Sequence, residues 1–194
     1  MNEQAFLKEI AANPADDAPR LIFADWLEER GDLRAELLRL LNELIHIDVP
    51  DRAAKEARIR ELLYEQNVPP VMPTFTNSIG MKFVQIPPGE FMMGAPEDEE
   101  QAFGFDKPRH QVTLTKPYWL GTTTVTQRQW TEVVGREPWK GDNCVKEGPD
   151  YPATHVNWED SMEFCRRLSD QGDMTYRLPT EAEWDCAKKF GGGG

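Results

Sequence analysis

Pro69-Pro70-Val71-Met72-Pro73 puts three prolines into five residues, and neither a regular helix nor a central strand can run through it. The chain therefore reads as two parts with different hydrophobic periods. Residues 1–67 are helical in pattern. Glu3–Ala12 is expected as a first helix, ended by Asn13-Pro14. Asp16 or Asp17 can cap a second helix, with Pro19 in the first turn and Leu21, Ile22, Phe23, Trp26 and Leu27 as its apolar set. Gly31 is a fitting stop for it. Leu37, Leu40, Leu41 and Leu44 recur at i, i+3, i+4 and i+7 and mark a third helix. Asp51 is expected to cap a fourth that carries Ile59, Leu62 and Leu63. Residues 68–76 are read as an extended, semi-rigid linker.

From Asn77 the pattern changes. Lys82–Ile86 and Glu90–Met93 are strand-like runs joined by Pro87-Pro88-Gly89. Gln111–Thr115 alternates polar and apolar residues, and Tyr118–Thr124 is rich in β-formers. Three helices follow. Thr126-x-x-Gln129 is a capping box, with Val125 placed to staple onto Trp130 and Gly135 closing the helix. Asn157 caps a run containing Ser161, Phe164, Cys165 and Leu168. Thr180-x-x-Glu183 opens a last helix with Trp184, Ala187 and Phe190. The four glycines behind it cannot continue a helix.

Composition narrows the function classes. With 39% hydrophobic residues, six Trp and nine Phe, the chain can build a globular core. Its net charge of −12 and pI near 4.7 disfavour phosphate backbones and anionic membrane surfaces, so neither nucleic acid nor a membrane is an expected partner. No stretch approaches the ~20 apolar residues of a spanning helix. Met1-Asn2-Glu3-Gln4 has no basic start of a signal peptide. Three cysteines, Cys144, Cys165 and Cys186, are too few and too odd in number for a disulfide framework. A cytoplasmic location is the resulting expectation.

Several strings in the second part arrive in a recognisable order. They are Asn77-Ser-Ile-Gly-Met-Lys-Phe83, Ile86-Pro-Pro-Gly-Glu-Phe-Met-Met-Gly94 and the acidic Glu97–Glu100 followed by Lys107-Pro-Arg-His-Gln-Val112. Thr124-Val-Thr-Gln-x-x-Trp130, Tyr151-Pro-Ala-x-x-Val-Asn-Trp-Glu-Asp160 and Arg177-Leu-Pro-Thr-Glu-Ala-Glu-Trp184 complete the series. Together they resemble the first half of a sulfatase-modifying-factor domain, the family of formylglycine-generating enzymes. Thr124 stands where that family usually has Glu, and Ser161 where it usually has Ala. Ala18–Asp32 is similar to a repeat-companion module, a short helical domain at the front of many bacterial multidomain proteins.

The resemblance implies an α+β fold: a small helical module at 1–67, then a partial C-type-lectin-like domain over 77–194. It also implies a reaction class, the copper- and oxygen-dependent oxidation of a sulfatase cysteine to Cα-formylglycine. In the family that chemistry needs a cysteine pair beyond an Arg-Gly-Gly-Ser-Trp-like segment, and calcium sites also follow the last helix seen here. No such segment precedes Gly194. The expectation is a family member inactive on its own, with no catalytic, cofactor-binding or metal residue in this chain and neither copper nor calcium held by it. The alternatives are a non-catalytic lectin-like module that binds a protein partner, and an enzyme completed by a second polypeptide.

Individual residues are read against that background. The three cysteines, separated by twenty residues each time, match no zinc or thioredoxin spacing and are taken as small buried hydrophobes. His46, His110 and His155 are scattered and taken as structural. A single histidine in the helical part also disfavours the iron-binding branch of the superfamily. Glu97–Glu100 lacks the glycine-turn spacing of a calcium loop. Arg177, Glu181 and Glu183 look site-like, but Glu183 is better explained as the capping partner of Thr180, and Arg177 is expected to pair with a carboxylate. Trp130, Trp158 and Trp184 are expected in the core.

Overall fold

The computed structural model describes residues 2–45, 48–95, 107–172 and 174–189. His46, Glu97–Glu100, Phe190 and the terminal glycines lie outside them. The described chain is α+β, as expected. Its helices are α1 (Glu3–Ala12), α2 (Ala18–Glu28), α3 (Arg34–Glu43), α4 (Arg52–Arg60), α5 (Gln127–Val134), α6 (Trp158–Asp170) and α7 (Glu181–Lys189). Its strands are β1 (Thr74–Thr76), β2 (Lys82–Ile86), β3 (Gly89–Met93), β4 (His110–Leu114) and β5 (Tyr118–Gly121). Strand β1 and the shorter β5 differ from the sequence expectation. The strands form a sheet of order β1-β2-β5 and an antiparallel β3-β4 ribbon, in which Phe91 faces Val112.

Two compact units emerge, and they are not sequential. The first gathers residues 1–73, 84–120 and 181–194; the second gathers 74–83 and 121–180. The first unit holds two apolar clusters. In one, Phe6 and Ile10 of α1 meet Phe23, Ala24 and Leu27 of α2. In the other, Leu37 and Leu41 of α3 join Ile59, Leu62 and Val68, Ile86 and Phe91 of the strands, and Cys186 and Ala187 of α7. The proline-rich stretch is non-helical, but it is not bare: Val68 and Val71 are both buried, and the Pro73 carbonyl accepts the Gln85 N–H at 3.0 Å.

Local sequence explains most of the helix ends. Asn2 caps α1 by accepting the Ala5 N–H at 3.0 Å. Asp16, not Asp17, accepts the Ala18 N–H at the start of α2, at 2.9 Å. Gly31 then takes a positive φ of 66°, where a side chain would be strained. Two expectations need correction. Asp51 makes no capping bond, because its φ is 54° and capping side chains reach N2 or N3 from an extended backbone. Leu21 and Ile22 are 43% and 56% exposed, since the inner face of α2 is set by Phe23, Ala24 and Leu27.

Arg20 is the buried cation of the first unit, 6% exposed. It donates to the carbonyls of Asp16 and Pro14 and pairs with Asp17 at 3.2 Å. Burial pulls its pKa below the ordinary guanidinium value, and Asp17 and Asp16 pull it back up. Arg20→Met leaves two carbonyls without their charged donor and should cost about 2 kcal/mol. Urea denaturation of the full chain checks this; a variant as stable as the parent would show that the donor is dispensable.

The second unit packs α5 against α6. Trp130 stacks on Phe164 at 5.3 Å, and Ile79, Val133, Trp139, Cys165 and Leu168 complete the cluster. The capping box at Thr126 and Gln129 is present, as is one at Asn157 and Asp160. Buried Gln127 fixes the following loop by donating to the Lys146 and Pro152 carbonyls and accepting the Gly148 N–H. Gln129 donates to the Gly80 carbonyl at 3.3 Å, tying α5 to the turn that Asn77 closes through the Met81 N–H.

Candidate functional site

The first unit contains a cleft of about 480 Å³, within the size range of small-molecule pockets. Its floor is the apolar cluster itself: Leu41, Ile59, Phe91 and Cys186 all reach it. Local structure shapes each wall. After Arg60 the helix continues as a π-turn, Glu61–Glu65, closed by the Gln66 N–H on the Glu61 carbonyl, and this wide turn presents Leu63 and Tyr64 to the cleft. Position 89, where strand β3 begins, is restricted to glycine, because a Cβ there would sit 3.0 Å from the Ile45 carbonyl oxygen. That same carbonyl accepts the Glu90 N–H at 2.7 Å, so the chain just past the end of α3 is tied to β3. Tyr118 anchors α7 by donating its hydroxyl to the Glu183 carbonyl at 2.6 Å. Burial, and then the neighbouring Cys186, push the Tyr118 phenol far above its usual range.

The charges around the cleft are of two kinds. Arg52 pairs with Glu56 at 3.2 Å and Lys188 with Asp185 at 2.8 Å. Arg60 and Arg109 also line the cleft, both are exposed, and neither has a hydrogen bond or ion pair among the described residues. The contrast with Arg58 is sharp: two residues away, on another face of the helix, it is held by Glu36 and Glu61 at 2.7 and 2.5 Å.

The three thiols occupy three settings. Cys165 lies in the α5–α6 cluster and Cys186 in the α3–β3–α7 cluster, both buried as read from the sequence. Burial pushes the Cys165 thiol up, away from thiolate formation. Cys144 is exposed, which corrects the expectation of a buried side chain; it sits in a surface loop where its N–H is taken by Asp142 at 2.8 Å. None of the three is in a disulfide, and neither apolar cluster contains two of them. A copper–thiolate centre needs convergent soft ligands. The described residues do not fit one, and among them no group of three or more His, Cys, Asp and Glu side chains is placed to hold a metal ion.

Other singled-out residues disperse. His110 contacts the Pro108 carbonyl at 3.0 Å, and His155, at a φ of 57°, pairs with Asp142 at 3.1 Å. Arg177 donates to the Leu178 carbonyl. Trp130 is buried at 2% exposure, but Trp158 and Trp184 are 65% and 47% exposed, contrary to expectation. Helix geometry gives the reason. Phe164, Cys165 and Leu168 define the inner face of α6, with Trp158 at its margin; Trp184 is rotated by about 100° from buried Glu183 on α7. Among the described residues no helix is long and apolar enough to cross a membrane.

The arrangement of motifs has counterparts elsewhere. A profile of the sulfatase-modifying factor enzyme 1-like domain matches residues 69–194. The chain belongs to the sulfatase-modifying factor family. This sulfatase-modifying factor chain is 33% identical over 81 residues to the formylglycine-generating enzyme of Bos taurus, which covers 42% of the chain and 18% of that protein. It is 24% identical over 193 residues to the inactive C-alpha-formylglycine-generating enzyme 2 of Bos taurus, covering 94% of the chain and 58% of that relative. Among solved structures, PvdO from Pseudomonas aeruginosa superposes with a TM-score of 0.53 at 26% identity, over 61% of this chain and 51% of that one. The alignments thus span between about a fifth and three fifths of the relatives' own lengths.

Proposed function

We propose that residues 1–194 act as a non-oxidising, ligand-binding member of the sulfatase-modifying factor family. The observation that carries this reading is the placement of the thiols. Cysteine oxidation by copper and oxygen requires sulfur ligands that converge on a metal open to a peptide. Here Cys165 and Cys186 are packing residues in different clusters, and Cys144 stands alone on a loop. The bovine relative that aligns with 94% of the chain is itself described as inactive, which supports the same reading. The concave, apolar-floored cleft of the first unit is the feature a binding role would use. Three cysteines outside any disulfide suit a reducing compartment, in keeping with a cytoplasmic protein.

The test is an oxidase assay on a Cys-x-Pro-x-Arg peptide with copper, oxygen and a thiol reductant, run beside an active formylglycine-generating enzyme. The 194-residue chain should convert none of the peptide cysteine, as read by the mass change to the aldehyde. Turnover that rises with copper, and is lost in a Cys144→Ser variant, would overturn the proposal.

A further inference from the structure

We infer that the cleft of the first unit is a binding site for a small aliphatic carboxylate, its chain seated on the apolar floor and its anionic end between Arg60 and Arg109. The inference does not depend on whether the chain oxidises anything. It rests on three observations taken together. The cleft is deep enough to reach the core, since buried Leu41, Ile59 and Phe91 form its floor. At about 480 Å³ it matches a small molecule rather than a protein surface. Finally, its charge is unbalanced in one direction. The wall carboxylates of Glu56 and Asp185 are already taken by Arg52 and Lys188. That leaves one further lining carboxylate, Glu90, which accepts the Thr113 hydroxyl at 3.4 Å, against two cations, Arg60 and Arg109, that have no ion pair among the described residues, in a protein whose net charge is −12 and whose other arginines are mostly ion-paired.

A guanidinium presents paired N–H donors that match a carboxylate, so two such groups at the mouth of an apolar cleft select a ligand with one anionic end and one greasy end. A polyanion such as a nucleotide fits less well, because it would leave the apolar floor uncovered and bring more negative charge than the two arginines can match. A neutral hydrocarbon would fill the floor but gain nothing from the two arginines.

The experiment is titration calorimetry of the full chain with octanoate, decanoate and dodecanoate below their micellar concentrations, with 1-dodecanol as the uncharged comparison. Each added methylene buried on the floor should tighten binding about fourfold. Dodecanol should bind at least about tenfold more weakly than dodecanoate, the loss of one charge-assisted contact. The double variant Arg60→Gln, Arg109→Gln changes only exposed side chains and should erase the difference between acid and alcohol while keeping the chain-length dependence. Equal affinity of acid and alcohol for the parent chain, or an unchanged preference in the double variant, would refute the arginine assignment. Absence of saturable binding by any of the four would refute the site.

Discussion

Phe23→Ala should lower the stability of the first unit by about 3–5 kcal/mol, the largest single-residue effect expected in the helical part. Phe23 is fully buried. Its ring stacks on Phe6 with centroids 4.9 Å apart and an interplanar angle of 10°, and it tilts against Trp26 at 5.9 Å. Truncation removes both ring contacts and leaves a void in the cluster that Leu27, Leu38 and Val71 also build. Those neighbours come from different elements, so they cannot collapse together into the gap, and the cavity contribution adds to the lost transfer energy. Denaturant titration followed by far-ultraviolet circular dichroism measures the change. A loss below about 1 kcal/mol would mean that α1 and α2 are not packed through this ring. The exposed faces of the same helices make a control: Ile22→Ala, at a site open to solvent, should change stability by less than about 0.5 kcal/mol.

Trp130 offers the comparable test in the second unit, with an internal contrast. Trp130→Ala should cost about 3–5 kcal/mol, because the indole fills the space between α5 and α6 and stacks on Phe164. Trp130→Phe should cost much less, about 1 kcal/mol or below. The reason is that the indole Nε1 is buried with no hydrogen-bond partner among the described residues, so the native residue already bears the penalty of an unsatisfied donor. Removing that donor offsets part of the lost volume. Near-ultraviolet circular dichroism of the full chain separates the outcomes. If Phe were as harmful as Ala, shape at this position would outweigh the polar penalty, and the account of the indole N–H would be wrong.

How much of this was legible in the sequence depends on the range of the forces involved. Helix starts were readable where a side chain acts on its own first turn: Asn157 and the Thr126–Gln129 box do in the structure what their spacing implies. Asp51 shows the limit, since a left-handed backbone there cannot be inferred from residue type alone. The stripe Leu37-Leu41 predicted a buried face, but not that Ile86, Phe91 and Ala187 would cover it. Which strands and helices share a core is a long-range fact that periodicity does not encode.

Motif resemblance identified the family correctly and misled on burial. Trp158 and Trp184 belong to strings that mark the family, yet both are substantially exposed. A string records which residue stands where, not what covers it. The cleft was invisible for a related reason. Arg60 and Arg109 lie far apart in sequence and look like ordinary surface charges, each in a locally acidic or proline-flanked segment. Only their lining one apolar-floored cleft, with Glu56 and Asp185 already occupied, sets them apart.

The discontinuous first unit has a consequence for how the molecule comes into being. Leu37 and Leu41 leave the ribosome early, whereas Cys186 and Ala187, which seal the same cluster, are among the last described residues to be synthesised. Until α7 emerges, the greasy side of α3 and α4 stays without its lid, while the intervening stretch from Gly121 to Thr180 can close around Trp130 first. For this cluster birth order and completion order therefore differ: its first-made residues wait for its last-made ones, while the α1–α2 cluster needs nothing beyond Val71.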